Sequence, residues 1–224
     1  MMCLAGRSRC LPALVCVAFV LAASGCRSVY YQGMELFGYE KRDLLVDRVE
    51  AARDSQTTAK DQFQTALERF KTVLEVDGGE LEAKYNELNS AYERSEAKAR
   101  AVTERIGAVE NVAGDLFREW EAEIEEYGDA DLRAKSRKTF DETRARYEQV
   151  IGAMRRAEEK MPPVLTAFKD RVLYLKHQLN AQAIASLRDE LVKVETNVES
   201  LIAELEAAIA EADAFISSME KDPS

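Results

Sequence analysis

Few residues of this chain could carry chemistry. Its 224 residues include one histidine, His177, and four cysteines. A di-iron carboxylate bundle needs Glu-x-x-His pairs on facing helices, whereas the residue three before His177 is Tyr174. The chain has no Gly-x-Ser-x-Gly turn and no phosphate-binding glycine loop, so it offers neither a nucleophile relay nor a nucleotide site. We therefore expect no catalytic residue, no metal site, no cofactor, no small-molecule substrate and no enzymatic activity.

The single histidine stands close to a residue that favours a helix start. His177 precedes Asn180 by three residues, and asparagine is a preferred helix N-cap. Two interpretations are open. His177 is either a hydrogen-bonded residue at a helical turn, or it forms with Asn180 a polar contact point for a partner at one end of the helices.

An acidic run without a single base lies in the middle of the chain. It contains Glu119, Glu121, Glu123, Glu125, Glu126, Asp129 and Asp131. Its spacing does not match an EF-hand loop, which needs oxygen ligands at fixed positions and a central glycine. We interpret the run as a solvated tip over a helical turn. The basic run that follows, 133–138, is expected to face it across an antiparallel hairpin and to help set the register.

The N-terminus has the organisation of a secretory signal. Arg7 and Arg9 form a positive segment, which an apolar segment follows over 11–23. Small residues come next, as they do before a signal cleavage site. The apolar segment is shorter than the roughly 20 residues of a comfortable transmembrane helix. We predict that residues 1–25 are a signal peptide.

The sequence Ala23-Ser24-Gly25-Cys26 resembles the lipobox of bacterial lipoproteins. This resemblance implies that Cys26 becomes the first residue of the mature protein and carries acyl chains, palmitate among them. Because one acyl chain holds a protein on a membrane only marginally, the two or three chains of such a lipoprotein would be needed for stable anchoring. By analogy with lipoprotein sorting, Arg27 in place of Asp favours the outer membrane. The alternative is an ordinary secretory signal cut nearby, with Cys26 uninvolved.

The positions of the cysteines and the net charge limit the chemistry and the binding partners that we expect. Cys3, Cys10 and Cys16 lie in the predicted signal, so the exported chain would have neither a disulfide nor a free thiol. The formal net charge is −10, and it becomes −12 without the signal, which holds two bases and no acid. Such a chain repels phosphate backbones, so we expect no nucleic-acid partner.

The elements that carry these residues are predicted to be long helices. Only four prolines and ten glycines are present, too few turn residues for an all-β fold. Apolar residues instead recur with alternating steps of four and three along 45–73, 81–120, 161–179 and 184–219, and more loosely along 140–160. The first stripe reads Leu45, Val49, Ala52, Gln56, Ala59, Phe63, Ala66, Phe70 and Val73. This heptad spacing is typical of helices that pack along one seam. We predict an all-α, elongated antiparallel coiled-coil bundle of about four long helices.

Turn signals divide the stripes. Gly78 and Gly128 supply helix ends, with Asp77 and Asp129 (or Asp131) able to cap the helices that follow. The third seam breaks by a step of five at Asn180, which predicts turns near 78, 128 and 180. Pro162-Pro163 competes as the third break. We favour a kink there, because the regular seam runs through both prolines.

Two segments resemble a known family. These are YYQGMELFGYEKRDLLVDRVEAARDSQ (30–56) and the run from Met161 to Leu187 that begins Met-Pro-Pro-Val-Leu-Thr-Ala-Phe. Both are similar to a proteobacterial family of uncharacterised lipoproteins, domain of unknown function 2959, over 30–219. The resemblance implies a coiled-coil protein at the membrane surface. It implies no activity, ligand or catalytic residue.

We therefore expect a lipidated tether at 26–38, a helical bundle domain at 39–219 and a disordered tail at 220–224. The aromatic residues of the tether either sit at the membrane interface or cap the helical core. The leading hypothesis is a periplasm-facing, lipid-anchored spacer or interaction scaffold of the outer membrane, which contacts an envelope protein or a second copy of itself. The alternative is a membrane-remodelling or lipid-handling protein that works through open amphipathic helices.

Overall fold

The computed structural model describes residues 41–75, 80–178 and 180–220. Within them five helices account for nearly every residue. They are α1 (Lys41–Leu74), α2 (Leu81–Glu126), α3 (Ala130–His177), α4 (Ala181–Arg188) and α5 (Leu191–Glu220). The compact unit Leu44–Ser224 contains all of them except the first three residues of α1. The prediction of an all-α bundle of long packed helices is confirmed.

The predicted apolar stripes form the core. In α1 every stripe position from Leu45 to Val73 is fully buried. The α2 stripe is buried over 88–116 except for the half-buried Tyr92, and the α5 stripe is buried over 194–219. In α3 the buried members of the regular stripe are Met161, Phe168, Val172 and Leu175. Leu179 lies outside the described residues. Because each large buried side chain contributes about 1.5–3 kcal/mol, these stripes carry most of the folding free energy.

A ladder of ion pairs fixes the register of α1 against α5. The pairs are Arg53–Asp213 at 3.0 Å, Lys60–Glu206 at 3.4 Å and Lys71–Glu195 at 2.6 Å. From one pair to the next, the residue number rises along α1 by the same step by which it falls along α5. The two helices are therefore antiparallel and keep a single register along the contact.

Further contacts place the other long helices. On the α2 side of α1, Gln62 Nε2 donates to the Ala91 carbonyl at 3.2 Å and Arg69 pairs with Glu87 at 3.2 Å. Arg155 of α3 binds Glu110 of α2 with its Nε at 2.8 Å, and Arg156 of α3 lies 3.8 Å from Glu204 of α5. The helices α1 and α3 run parallel, and Phe70 meets Phe168 edge to face with ring centroids 6.4 Å apart. Thus α1 and α3 lie diagonally across a four-helix core, with α2 and α5 between them.

The third chain reversal falls at Asn180, and α3 continues through Pro162-Pro163. Each proline removes the N–H that the carbonyl four residues earlier would have bound. Both prolines are exposed. The two carbonyls that lose a donor, those of Glu158 and Glu159, therefore face the water side of the helix.

A further break at Asp189–Glu190 separates α4 from α5, so the last stripe spans two helices rather than one. Asp189 keeps right-handed helical dihedrals, and Glu190 N donates to the Leu187 carbonyl at 3.1 Å, a contact three residues back. Such a tightened turn hardly alters the helical phase. The apolar stripe therefore passes from Leu187 to Leu191 with an ordinary step, and the heptad pattern did not predict the break.

Polar side chains are few among the buried residues of the described chain, namely Gln56, Ser95, Asp115 and Thr143. Gln56 occupies a stripe position of α1 and is fully buried. Neither its Nε2 nor its Oε1 has a hydrogen-bond partner. An amide that leaves water without a replacement hydrogen bond costs about 1–3 kcal/mol. Gln56 therefore lowers the stability of a core that is otherwise almost entirely apolar.

Replacing this amide by an apolar side chain of the same length should stabilise the fold. We expect Gln56→Met to raise the free energy of unfolding by about 1–3 kcal/mol, because the penalty for the unpaired amide disappears. Urea denaturation followed by circular dichroism measures the change. The matched control is Gln64→Met, at an exposed position of α1, which should change stability by less than about 0.5 kcal/mol. A destabilised Gln56→Met protein would contradict this account of the core.

Candidate interaction sites

The turn between α3 and α4 holds both residues that the sequence singled out. Asn180 is the N-cap of α4, and its Oδ1 accepts a hydrogen bond from Ala183 N at 2.9 Å. His177 is the last residue of α3 and is exposed. Among the described residues its imidazole has no hydrogen-bond partner. Asn180 is thus occupied by capping, while His177 is available at the surface, and their contact with a partner stays a prediction.

A surface cavity adjoins this turn. Its volume is about 310 Å³, and it is lined by Asp170, Arg171, Tyr174, Ser186, Leu187 and Glu190. The guanidinium of Arg171 bridges the two walls, because it donates to the Ala167 carbonyl of its own helix at 3.0 Å and binds the Glu190 carboxylate beyond α4. Leu187 is buried and forms the apolar part of the lining.

The α4 segment is anchored to the bundle on its other side. Arg188 Nε donates to the carbonyl of Leu74, the last residue of α1, at 2.8 Å. A cationic side chain at a helix C-terminus satisfies an unpaired carbonyl and interacts favourably with the helix dipole. The apolar residues of α4 are also buried, namely Ala183, Ile184 and Leu187. These contacts hold the cavity wall in place.

The predicted acidic tip covers the turn between α2 and α3. Asp129 is the N-cap of α3 and accepts hydrogen bonds from the backbone N–H groups of Asp131 and Leu132. Arg137 lies 3.3 Å from Glu121 and 2.9 Å from Glu125 across the hairpin. The prediction that the acidic and basic runs face one another is confirmed. These pairs are exposed and each contributes only about 0–1 kcal/mol.

Aromatic packing holds this end of the hairpin together. The Phe140 ring meets those of Phe117 and Trp120 edge to face, with centroids 5.6 and 5.5 Å away. Trp120 Nε1 donates to Ser136 Oγ at 3.1 Å. Tyr147 packs on Phe117, and burial, aided by the nearby Glu110 carboxylate, raises the pKa of its phenol to about 12. The aromatics of the tip thus pack mainly against each other.

Sequence reasoning missed the cavity and its ion pair. Asp170, Arg171 and Glu190 lie off the apolar stripes, where a heptad pattern carries no information about partners. The signal that could have pointed there is the five-residue step at Asn180, because a chain that leaves one helix and starts another out of phase leaves space between them.

The remaining predictions concern the lipidation site, metal binding and membrane-spanning helices. Ala23, Ser24, Gly25, Cys26 and the tether are outside the described residues. Within the described part of the chain, no group of three or more His, Cys, Asp and Glu residues is placed to hold a metal ion. None of the described helices combines the length and the apolar character needed to cross a membrane.

The fold defines a class of protein, an all-α bundle of long antiparallel helices. The chain belongs to the family described as protein of unknown function (DUF2959), which matches residues 30–219. The resemblance to domain of unknown function 2959 is therefore confirmed over residues 30–219. No curated protein matches the chain.

The packing of Tyr147 predicts its titration. An unfolded tyrosine has a pKa of about 10, whereas the folded value is about 12. The folded chain holds the phenolic proton more tightly, so this contribution to stability is complete below pH 10 and is lost as the pH rises towards 12. A titration followed by tyrosinate absorbance should show a late component, to which Tyr92 also contributes because burial raises its pKa. Tyr147→Phe should reduce that component by one tyrosine, and an unchanged component would show that the proposed burial is wrong.

Proposed function

We propose that this protein is a lipid-anchored scaffold or spacer of the bacterial cell envelope. Cys26 would hold it in the outer membrane by its acyl chains, and the helical bundle would face the periplasm. The protein would act by contact with an envelope protein or with another copy of itself, and it would catalyse no reaction.

The single observation that supports the scaffold role is the closure of the apolar stripes. The α1 stripe is fully buried along its whole length, and the α5 stripe is buried over 194–219. Helices that bury their apolar faces against each other form a rigid body with a polar surface. Long rigid helices of this kind are suited to holding two attachment points apart, at about 1.5 Å per residue.

The same closure argues against lipid handling. A lipid-binding amphipathic helix lays an open apolar face into the membrane. In the described part of the chain, the exposed large apolar residues are Tyr127, Leu132, Leu173 and Val192. These are single residues at two separate regions of the bundle, and they do not form a continuous apolar face.

The anchor is supported by the order of residues around Cys26. Small residues directly precede the cysteine, and an apolar segment with a basic start precedes them. The family match begins at residue 30, just after this segment. A helical body attached to a short N-terminal tether is the arrangement that a lipid-anchored scaffold requires.

Blocking acylation tests the anchor. Cells that express the full chain are labelled with an alkyne analogue of palmitate and fractionated. We expect the label and outer-membrane fractionation for the wild type, loss of both for Cys26→Ala, and accumulation of a larger precursor in the presence of globomycin. The matched control is Cys16→Ala, a cysteine of the predicted signal segment, which should behave as the wild type. Unchanged labelling and fractionation of Cys26→Ala would contradict the proposal.

A further inference from the structure

We propose that the cavity between α3 and α4 binds an arginine side chain of a protein partner. This inference rests on the proposed scaffold function, because it takes the ligand to be part of another protein. It names the chemistry of a contact that the sequence only located near His177 and Asn180.

The charge of the lining favours a cation. Arg171 is already bound to Glu190, so these two charges offset each other. Asp170 lines the same cavity, and among the described residues its carboxylate has no ion pair and no hydrogen bond. The cavity therefore presents one uncompensated negative charge. A guanidinium can bind such a carboxylate through two parallel hydrogen bonds.

The remaining lining fits the rest of an arginine side chain. Leu187 supplies an apolar surface for the aliphatic stem. The ring of Tyr174 also lines the cavity, and guanidinium groups stack favourably on aromatic rings. Its hydroxyl has no hydrogen-bond partner among the described residues, so it is free to accept a hydrogen bond from the ligand. The volume of about 310 Å³ lies at the small end of ligand pockets, which span about 300–1,000 Å³.

The surroundings favour a protein over a free small cation. Leu173 is 45% exposed and lies about one helical turn beyond Asp170. An exposed apolar side chain next to a polar pocket suits a partner that covers a wider area than the pocket itself. Arginine is among the residues enriched at the centres of protein interfaces.

A fluorine label in the cavity tests the proposal. The acylated full-length protein in detergent carries 3-fluorotyrosine at position 174, and its ¹⁹F resonance is followed during titration with the peptide Ac-Leu-Arg-Leu-NH₂. We expect a saturable shift at millimolar peptide. The peptide with citrulline in place of arginine, which has nearly the same shape but no charge, should produce no saturable shift. An equal response to both peptides would overturn the proposal.

Variants of the protein test the role of Asp170. Because Asp170 is exposed, Asp170→Asn should keep the circular dichroism of the wild type and weaken peptide binding at least about tenfold, the range for a lost hydrogen bond to a charged group. Asp170→Glu should retain most of the binding. The matched control is Asp141→Asn, an exposed acid of α3 far from the cavity, which should bind as the wild type. Unchanged binding by Asp170→Asn would overturn the proposal.

Two further titrations distinguish a partner's arginine from a free polyamine, and the cavity from the acyl anchor. Tighter binding of spermidine than of the peptide would assign the cavity to a free polyamine and overturn the assignment to a partner. Repeating the peptide titration with Cys26→Ala protein separates the cavity from the anchor. Binding should persist there, so a failed acylation experiment leaves the cavity result standing, and a failed titration leaves the anchor standing.

Discussion

The structure depends on one constraint, that each long helix has a single apolar stripe and can remove it from water only against the stripes of its neighbours. A heptad stripe stays on one side of a helix over many turns. Four such helices in alternating directions can enclose all of their stripes at once. The large buried side chains contribute about 1.5–3 kcal/mol each, whereas the exposed ion pairs around them contribute about 0–1 kcal/mol each. Burial therefore holds the helices together, and the charges select their register.

The residue types at the buried stripe positions determine how the core packs. Alanine is frequent at the buried positions, including Ala52, Ala59 and Ala66 of α1 and Ala208 and Ala212 of the facing α5. Among the large side chains of this core, the rings of Phe70 and Phe168 meet edge to face. Gln56 is an exception within this core, because its amide is buried and unpaired. A polar group at a stripe position destabilises a bundle, but in coiled coils it can also specify one register. The place where the enclosure ends, at the short α4, is also where the polar cavity forms.

Much of the fold could be predicted from the sequence, because the features that determine it are periodic and local. The stripe from Leu45 to Val73 was predicted position by position, and the N-caps Asp129 and Asn180 mark two of the predicted turns. The predicted left-handed cap at Gly128 is wrong, because α2 ends at the extended Tyr127 and Gly128 has no left-handed backbone. The break at Asp189–Glu190 could not be predicted, since it preserves the helical phase and leaves the stripe intact. The cavity could not be predicted either. It depends on which side chain Arg171 reaches in space, and nothing in the linear pattern relates Arg171 to Glu190. The role of Cys26 rests on the sequence alone, as its segment is outside the described residues.

The most direct test of the shared core is the register of α1 against α5, which zero-length carbodiimide crosslinking of lysine to carboxylate measures. Equal amounts of ¹⁴N and ¹⁵N protein are mixed before crosslinking, so that mass spectrometry separates links within a chain from links between chains. We expect Lys60–Glu206 and Lys71–Glu195 links within one chain, at the pairs that lie 3.4 and 2.6 Å apart. Links that occur only between chains, or that join Lys60 to Glu199 one heptad away, would contradict this register.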